Sequence, residues 1–256
     1  MVLFLLPQSD YDPTESAVPW QALTDAGIKV IFATPDEQPA FADQRLVKTG
    51  FRLLNPLLMT RKPDLRAYHA MTNAHAFTHP LAYDAINPED YEALIVPGGH
   101  AAGMRTMLDS ATAKNIVLHF FKANKPVAAV CHGVLLLART IDPTTGRSVL
   151  FKRKTTALPA LTMELPAWAA TYLWLGNYYR TYTTTVESEV KAALQTSSDF
   201  KHGPLFPVRD SRTKPDKGFI VKDGNYLSAR WPGDCHRYAQ EFVKMLKDES
   251  TQPFIE

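Results

Sequence analysis

The segment Lys125-Pro126-Val127-Ala128-Ala129-Val130-Cys131-His132-Gly133-Val134-Leu135-Leu136-Leu137 constrains the chain more than any other. Val127 to Val130 reads as a short apolar strand, and Val134 to Ala138 as an apolar helix. A Cys-His-Gly turn joins them without spare linker. So abrupt a strand-turn-helix lifts the turn's first side chain above the sheet edge, the geometry of a nucleophile elbow with Cys131 at its apex. The elbow predicts strained backbone angles at Cys131. The positive end of the following helix is expected to favour thiolate over thiol. A free cysteine closing a buried strand is the commoner fate of that residue. The His and Gly that follow at once favour a reactive thiol.

A chain of 256 residues, 45% of them hydrophobic, can bury one large core, and a single domain spanning 1–256 is the simplest reading. The formal charge of +2 carries no electrostatic footprint for nucleic acid. No apolar run approaches the ~20 residues that cross a bilayer, so no membrane partner is expected. Val2 to Leu6 is too short for a signal peptide and has no basic leader. The two cysteines, Cys131 and Cys235, lack metal-ligand or CxxC spacing, which points to a reducing, cytoplasmic setting. His69, His75 and His79 only partly suit one helix face; neither a metal nor a cofactor is expected.

Val2 to Leu6 and Ile28 to Ala33 are unalternating apolar runs, as buried parallel strands require. Between them Asp12-Pro13-Thr14-Glu15 starts a helix, with Asp12 as cap, Pro13 at the first helical site and Glu15 three residues past the cap. The helix stops at Gly27. This is a βαβ unit. Residues 36–88 read as an elaborated connection over the sheet's carboxyl edge, with helical pieces near 43–50 and 65–75. Tyr91 to Val96 is a further strand that runs into Pro97-Gly98-Gly99-His100, and 110–123 is an amphipathic helix. A second elaborated connection spans about 140–217. Its stretch 165–179 is rich in Trp and Tyr, suited to packing or to a dimer surface. Phe219 to Ser228 forms a hairpin about Asp223-Gly224-Asn225, and Asp234 caps a last helix. The fold class is α/β: a flavodoxin-like three-layer sandwich with a mostly parallel central sheet and Cys131 at the carboxyl end of a strand.

Glu15 at the first helix, Pro97-Gly98-Gly99-His100, Ala129-Val130-Cys131-His132-Gly133 and Asp223-Gly224-Asn225 with Ser228-Ala229-Arg230 stand in one order along the chain. In these features the chain resembles the DJ-1/PfpI (ThiJ) superfamily, relatives of class I glutamine amidotransferases, and most of all its Hsp31-like members. The resemblance implies Cys131 as nucleophile, Glu15 as the carboxyl that holds the thiol and carries a proton, and His132 as general acid or base. It implies an oxyanion hole from the N–H groups of Gly99 and His132. It also implies a carboxylate that orients the histidine, for which Glu164, after Leu158-Pro159, is the candidate. Glu15 and Glu164 each have an ordinary structural alternative as helix-capping acids.

The amidotransferases of this superfamily need a late His-x-Glu. After His132 the histidines are His202 and His236, followed by Pro204 and Tyr238, so glutaminase chemistry is disfavoured. Two readings remain. In one, a glyoxalase III-like lyase adds its thiol to a small carbonyl substrate such as methylglyoxal and releases lactate without glutathione. In the other, a stress-response holdase or a redox sensor works through Cys131 without turnover; a cysteine hydrolase of the same superfamily is a third form. A homodimer is expected from the resemblance and the aromatic 165–179 stretch. A closed pocket with Cys131 at its base would favour the enzyme, and a large exposed apolar patch the holdase.

Overall fold

In the computed structural model, which describes residues 1–250, seven strands form one central sheet. They are β1 (Val2–Leu5), β2 (Val30–Thr34), β3 (Leu81–Ala82), β4 (Ala93–Val96), β5 (Val127–Val130), β6 (Ile220–Asp223) and β7 (Tyr226–Ala229). Their spatial order is β6-β7-β5-β4-β1-β2-β3, with every pairing parallel except the β6–β7 hairpin. The strands β1, β4 and β5 are buried at every residue, which is why they read as continuous apolar runs rather than alternating ones.

Helix α1 (Pro13–Asp25) packs on one face against α2 (Lys62–Thr72) and the terminal helix, Cys235–Ser250. On the other face α3 (Ala111–Lys122) and α4 (Gly133–Ala138) pack together; α5 (Leu165–Leu175) packs instead with Leu46 and Phe51 of the first elaborated connection, and α6 (Val186–Ala193) returns to pack on α4. We number the terminal helix α7. This is the three-layer, flavodoxin-like sandwich expected from the sequence.

Chain order reverses beside β1. The chain leaves β1 for β2 and β3 on one side, then returns to β4 on the other. Open α/β sheets bind ligands in the crevice at such a switch point, beyond the carboxyl ends of the strands. Here β1 leads to Asp12 and Glu15, β4 to Gly98 and His100, and β5 to Cys131.

Local forces set most elements. Asp12 Oδ1 accepts from the N–H groups of Thr14 (2.7 Å) and Glu15 (3.1 Å), the N-cap expected of it. Ser110 caps α3 and Thr185 caps α6 in the same way. Asp234 does not cap α7 as expected. Its carboxylate lies in a one-turn helix before α7, pairs with the fully buried Arg230 (2.8 Å), and accepts from Phe219 N–H. A buried guanidinium needs a carboxylate partner, and the start of α7 is served by Asp210 instead, whose Oδ2 accepts from Arg237 N–H (2.8 Å).

Among the described residues, no helix is long and apolar enough to cross a membrane. No group of three or more His, Cys, Asp or Glu among them has the arrangement of a metal site.

Candidate active site

Cys131 has φ of 56°, left-handed backbone that a residue with a Cβ adopts only under constraint, as the elbow predicts. Two close approaches enforce it. A Cβ on Gly98 would stand 2.8 Å from Cys131 Cβ and 2.7 Å from Val130 O. A Cβ on Gly133 would stand 2.7 Å from Pro97 O and closer still to Val96 O. Both glycines let the turn after β4 lie directly on the elbow.

Glu15 is fully buried and does not complete a capping box. The Asp12 N–H that a box would assign to it goes instead to Gly98 O (2.8 Å), while Glu15 Oε2 accepts from Gly98 N–H (2.8 Å). This reciprocal pair pins the start of α1 to the Pro97-Gly98 turn. It leaves Glu15 Oε1 buried and without a partner. Burial, reinforced by the charge of Asp12, pushes the Glu15 carboxyl well above its ordinary range, so it holds its proton.

His132 lies against the sulfur, its Nδ1 3.5 Å from Cys131 Sγ. On the other side of the ring, Nε2 is 3.2 Å from Thr181 Oγ1. The Thr181 hydroxyl donates its hydrogen to His100 O, so its oxygen must accept from His132. That fixes the proton on Nε2 and leaves the Nδ1 lone pair facing the thiol. Burial first, then the neighbouring His100 and Arg139, lower the His132 pKa to about 3. The ring is neutral.

The expected thiolate is not the resting form. Burial, followed by the negative charge that Glu15 and Asp12 carry when ionised, raises the Cys131 pKa well above the ordinary thiol value. The His132 backbone N–H opposes this, as the sequence reading supposed for the helix end. But α4 is only six residues long, and its partial charge is outweighed by desolvation.

Glu164 lies in the same cavity as Cys131 but is not the group that orients His132; Thr181 does that. Glu164 Oε2 accepts from Val186 N–H (2.9 Å) at the start of α6, and Oε1 lies 3.5 Å from Arg180 Nε. Nor is it the surface capping acid of the alternative reading: it is buried and makes no cap bond to α5, the helix it precedes, and instead ties the start of α6 to this wall. Of the predicted oxyanion pair, the His132 backbone N–H acts on the Cys131 thiol, in the direction that lowers its pKa. Gly99, with φ of 152°, is packed against Asp10 and Met104, and Gly98 is the glycine that touches the elbow.

Burial raises the Glu164 pKa from 4.5 to about 7. A carboxyl that binds its proton more tightly when folded contributes stability below its unfolded pKa and loses it as pH rises through its folded pKa. The window is therefore about 4.5 to about 7. Glu164→Gln keeps an acceptor for Val186 and removes the charge. Its melting temperature relative to wild type is expected to rise between pH 4.5 and pH 8, by on the order of 5 °C. Cys131 alkylation should be unchanged; slowed alkylation would restore Glu164 to the catalytic group.

A cavity of about 390 Å³ opens above Cys131. Leu46, Leu54 and Leu58 wall it from the first elaborated connection, and Met163, Ala167 and Tyr179 from the second. Each connection contributes a one-turn π-helix at this wall, Arg45–Thr49 and Ala160–Glu164, a local irregularity frequent at functional sites. Within the aromatic stretch, Tyr179 stacks on His100 with ring centroids 4.1 Å apart. Tyr178 and Tyr179 both pack on Phe51. Tyr179 thus lines the cavity, and Tyr178 packs on it from behind with ring centroids 5.0 Å apart. Cys235, by contrast, is sealed beneath α7, its thiol on Trp231 O.

Cys131, His132 and Glu15 are brought together as expected, whereas Thr181 and the cavity's Arg209 and Trp231 had no signal in the sequence beyond their residue types.

A strained cysteine on an elbow, at the switch point of a parallel sheet and beside a neutral His and a buried carboxyl, defines an α/β protein of the cysteine-elbow class. The chain belongs to the ThiJ/PfpI family, whose signature (ThiJ/PfpI family-like) matches residues 6–204. It is 27% identical over 228 residues to a deglycase of Pyrococcus horikoshii, covering 86% of this chain and 100% of that one. It is 28% identical over 179 residues to a deglycase of Thermococcus kodakarensis, covering 69% and 76%. Glyoxalase III from Candida albicans superposes with a TM-score of 0.65 at 17% identity over 95% of each chain. The Rapid Encystment Protein 24 KDa of Francisella tularensis does so with 0.67 at 15%, over 96% and 98%. These two structures share the fold.

Proposed function

We propose that the protein is an enzyme that attacks a reactive carbonyl compound with Cys131, and that with an α-oxoaldehyde it yields the hydroxy acid. The observation that carries this reading is Cys131 in left-handed backbone beneath a largely apolar cavity, beside a buried carboxyl that holds its proton. The names of the relatives, deglycase and glyoxalase III, support it.

With methylglyoxal, Cys131 Sγ bonds to the aldehyde carbon while the thiol proton passes through His132 Nδ1 to the aldehyde oxygen, giving a hemithioacetal. Glu15 gives its proton to the C2 oxygen and takes the C1 proton, and the electron pair of the C1–H bond forms the C1–C2 double bond of an enediol. Glu15 then returns that proton to C2 and is reprotonated by the C1 hydroxyl, whose O–H electron pair closes the thioester carbonyl and leaves a hydroxyl on C2. A carboxyl whose proton is tightly held is the stronger base once it has given that proton up. Water cleaves the thioester to lactate and the free thiol. No external oxidant or reductant is consumed.

The decisive assay is lactate formation from methylglyoxal. Cys131→Ala is expected to abolish it, a loss of at least about 10³-fold; lactate formation by the variant at the wild-type rate would end this reading. The exposed side chains of Leu53, Leu161, Leu173 and Phe206 favour a holdase as the second reading. Suppression of client aggregation that survives Cys131→Ala, in a wild type without turnover, would favour it instead.

A further inference from the structure

The polar groups lining the Cys131 cavity are unequally satisfied. Its carboxyls have donors: Asp12 from Thr14 and Glu15, Glu15 from Gly98, Glu164 from Val186 and Arg180. Its one guanidinium has no carboxylate. Arg209 forms no salt bridge with any described residue; Nη2 donates to Leu57 O (3.0 Å), and Nε is buried without an acceptor. Asp12 and Asp64 act on it only from a distance, against the like charge of Arg61.

Beside it stands a second donor in the same condition. The Arg209 guanidinium lies 5.0 Å from the centroid of the Trp231 ring, and Trp231 Nε1 is also buried without an acceptor. Both residues line the cavity. Buried donors without partners cost free energy in a folded chain, so two side by side at a cavity wall point to an acceptor brought by a ligand. One donor carries a full positive charge in a fork that matches a carboxylate.

Size and polarity bear on the rest of that ligand. At ~30 Å³ per water the cavity holds the equivalent of about a dozen waters, far more than a three-carbon aldehyde needs. The rest of the lining is mainly apolar and includes Leu54, Leu57, Leu58, Leu158 and Met163.

We infer that the substrate is a reactive aldehyde with an apolar body and a carboxylate at its far end, the carboxylate seated on Arg209 and Trp231 while the carbonyl meets Cys131. This rests on the carbonyl chemistry proposed above and narrows its substrate class. Arg209 is a binding residue in this account and takes no part in the bond changes.

The test compares 4-formylbenzoate with its neutral isostere 4-formylbenzamide, and benzoate with benzamide, on the full chain. Tryptophan fluorescence reports binding, and protection of Cys131 from iodoacetamide reports engagement of the thiol. Wild type is expected to prefer the acid of each pair by roughly ten- to hundredfold, the worth of a hydrogen bond to a charged group. Arg209→Met should erase both preferences and Arg209→Lys should keep part of them, with unchanged circular dichroism as the check on folding. Equal affinity for acid and amide in wild type, or a preference that persists in Arg209→Met, would overturn the inference. If both aldehydes protect Cys131 equally, the carbonyl chemistry stands and the carboxylate site falls. If benzoate is preferred through Arg209 but neither aldehyde protects Cys131, the anion site stands and the carbonyl chemistry falls.

Discussion

Glu15→Gln is expected to lower turnover by about 10²-fold or more while the protein stays folded. Glutamine has the same shape, and its carbonyl oxygen can accept from Gly98 N–H as Glu15 Oε2 does at 2.8 Å. Because the buried carboxyl holds its proton, the exchange is of one neutral group for another and should cost under ~1 kcal/mol. What disappears is the transferable proton, and a positioned acid–base group is worth roughly 10²–10⁴ in rate. The thiol gives an independent reading. Any charge on Glu15 raises the Cys131 pKa, so its removal should leave alkylation by iodoacetamide unchanged or faster. Lower turnover with intact alkylation and melting temperature marks a proton carrier. Wild-type turnover in the variant would return Glu15 to a purely structural role.

The same residue shows how far the sequence could be read. Asp12-Pro13-Thr14-Glu15 identified the helix start because a cap is local chemistry, decided by atoms within four residues. It also suggested the wrong partner for the Glu15 carboxyl. That partner, Gly98, is 83 positions away and is brought in by the sheet rather than by the turn. The strands were legible for a similar reason: Val2–Leu5 and Val127–Val130 are apolar at every position because helices cover both faces. The parallel pairing was legible from the βαβ unit and its required crossover, whereas the order of the seven strands comes from the assembled sheet.

Legibility ended where two distant segments share one environment. Glu164 stood in the sequence where an orienting carboxylate was wanted, but the His132 ring meets Thr181, 49 positions on, in a run of threonines with no distinguishing pattern. The ionisation of Cys131 was misjudged for a related reason. The helix end beside it is visible in sequence, whereas the two carboxyls and the complete burial that outweigh it arrive from β1 and the long connections. Arg209 and Trp231 belong to this group as well. Neither lies in a motif, and their significance is that both lack an acceptor in one cavity, which only the assembled fold reveals.

Gly133→Ala sets propensity against packing, and the two give opposite signs. Gly133 is the first residue of α4 and its φ is not positive, so alanine is conformationally acceptable there. On propensity alone the exchange would stabilise the helix by about 0.5–1 kcal/mol. The added Cβ, however, would lie 2.7 Å from Pro97 O and nearer to Val96 O, both backbone atoms at the end of β4, which is buried throughout and paired on both sides. Neither can rotate away as a side chain could. The elbow must lift from β4, and overpacking of this kind costs typically 1–3 kcal/mol, occasionally more. We expect a net loss of about 2 kcal/mol and a fall in melting temperature of roughly 4–8 °C. Lifting the elbow also draws Cys131 away from Glu15, so methylglyoxal turnover should fall by much more than the fraction unfolded. Gly27, where a Cβ would meet nothing within 4 Å but φ is 75°, is the control for conformational strain without a clash: Gly27→Ala should cost stability and leave turnover intact. A Gly133→Ala protein that melts above wild type, with normal turnover, would mean that the contact between β4 and the elbow does not hold Cys131 in place.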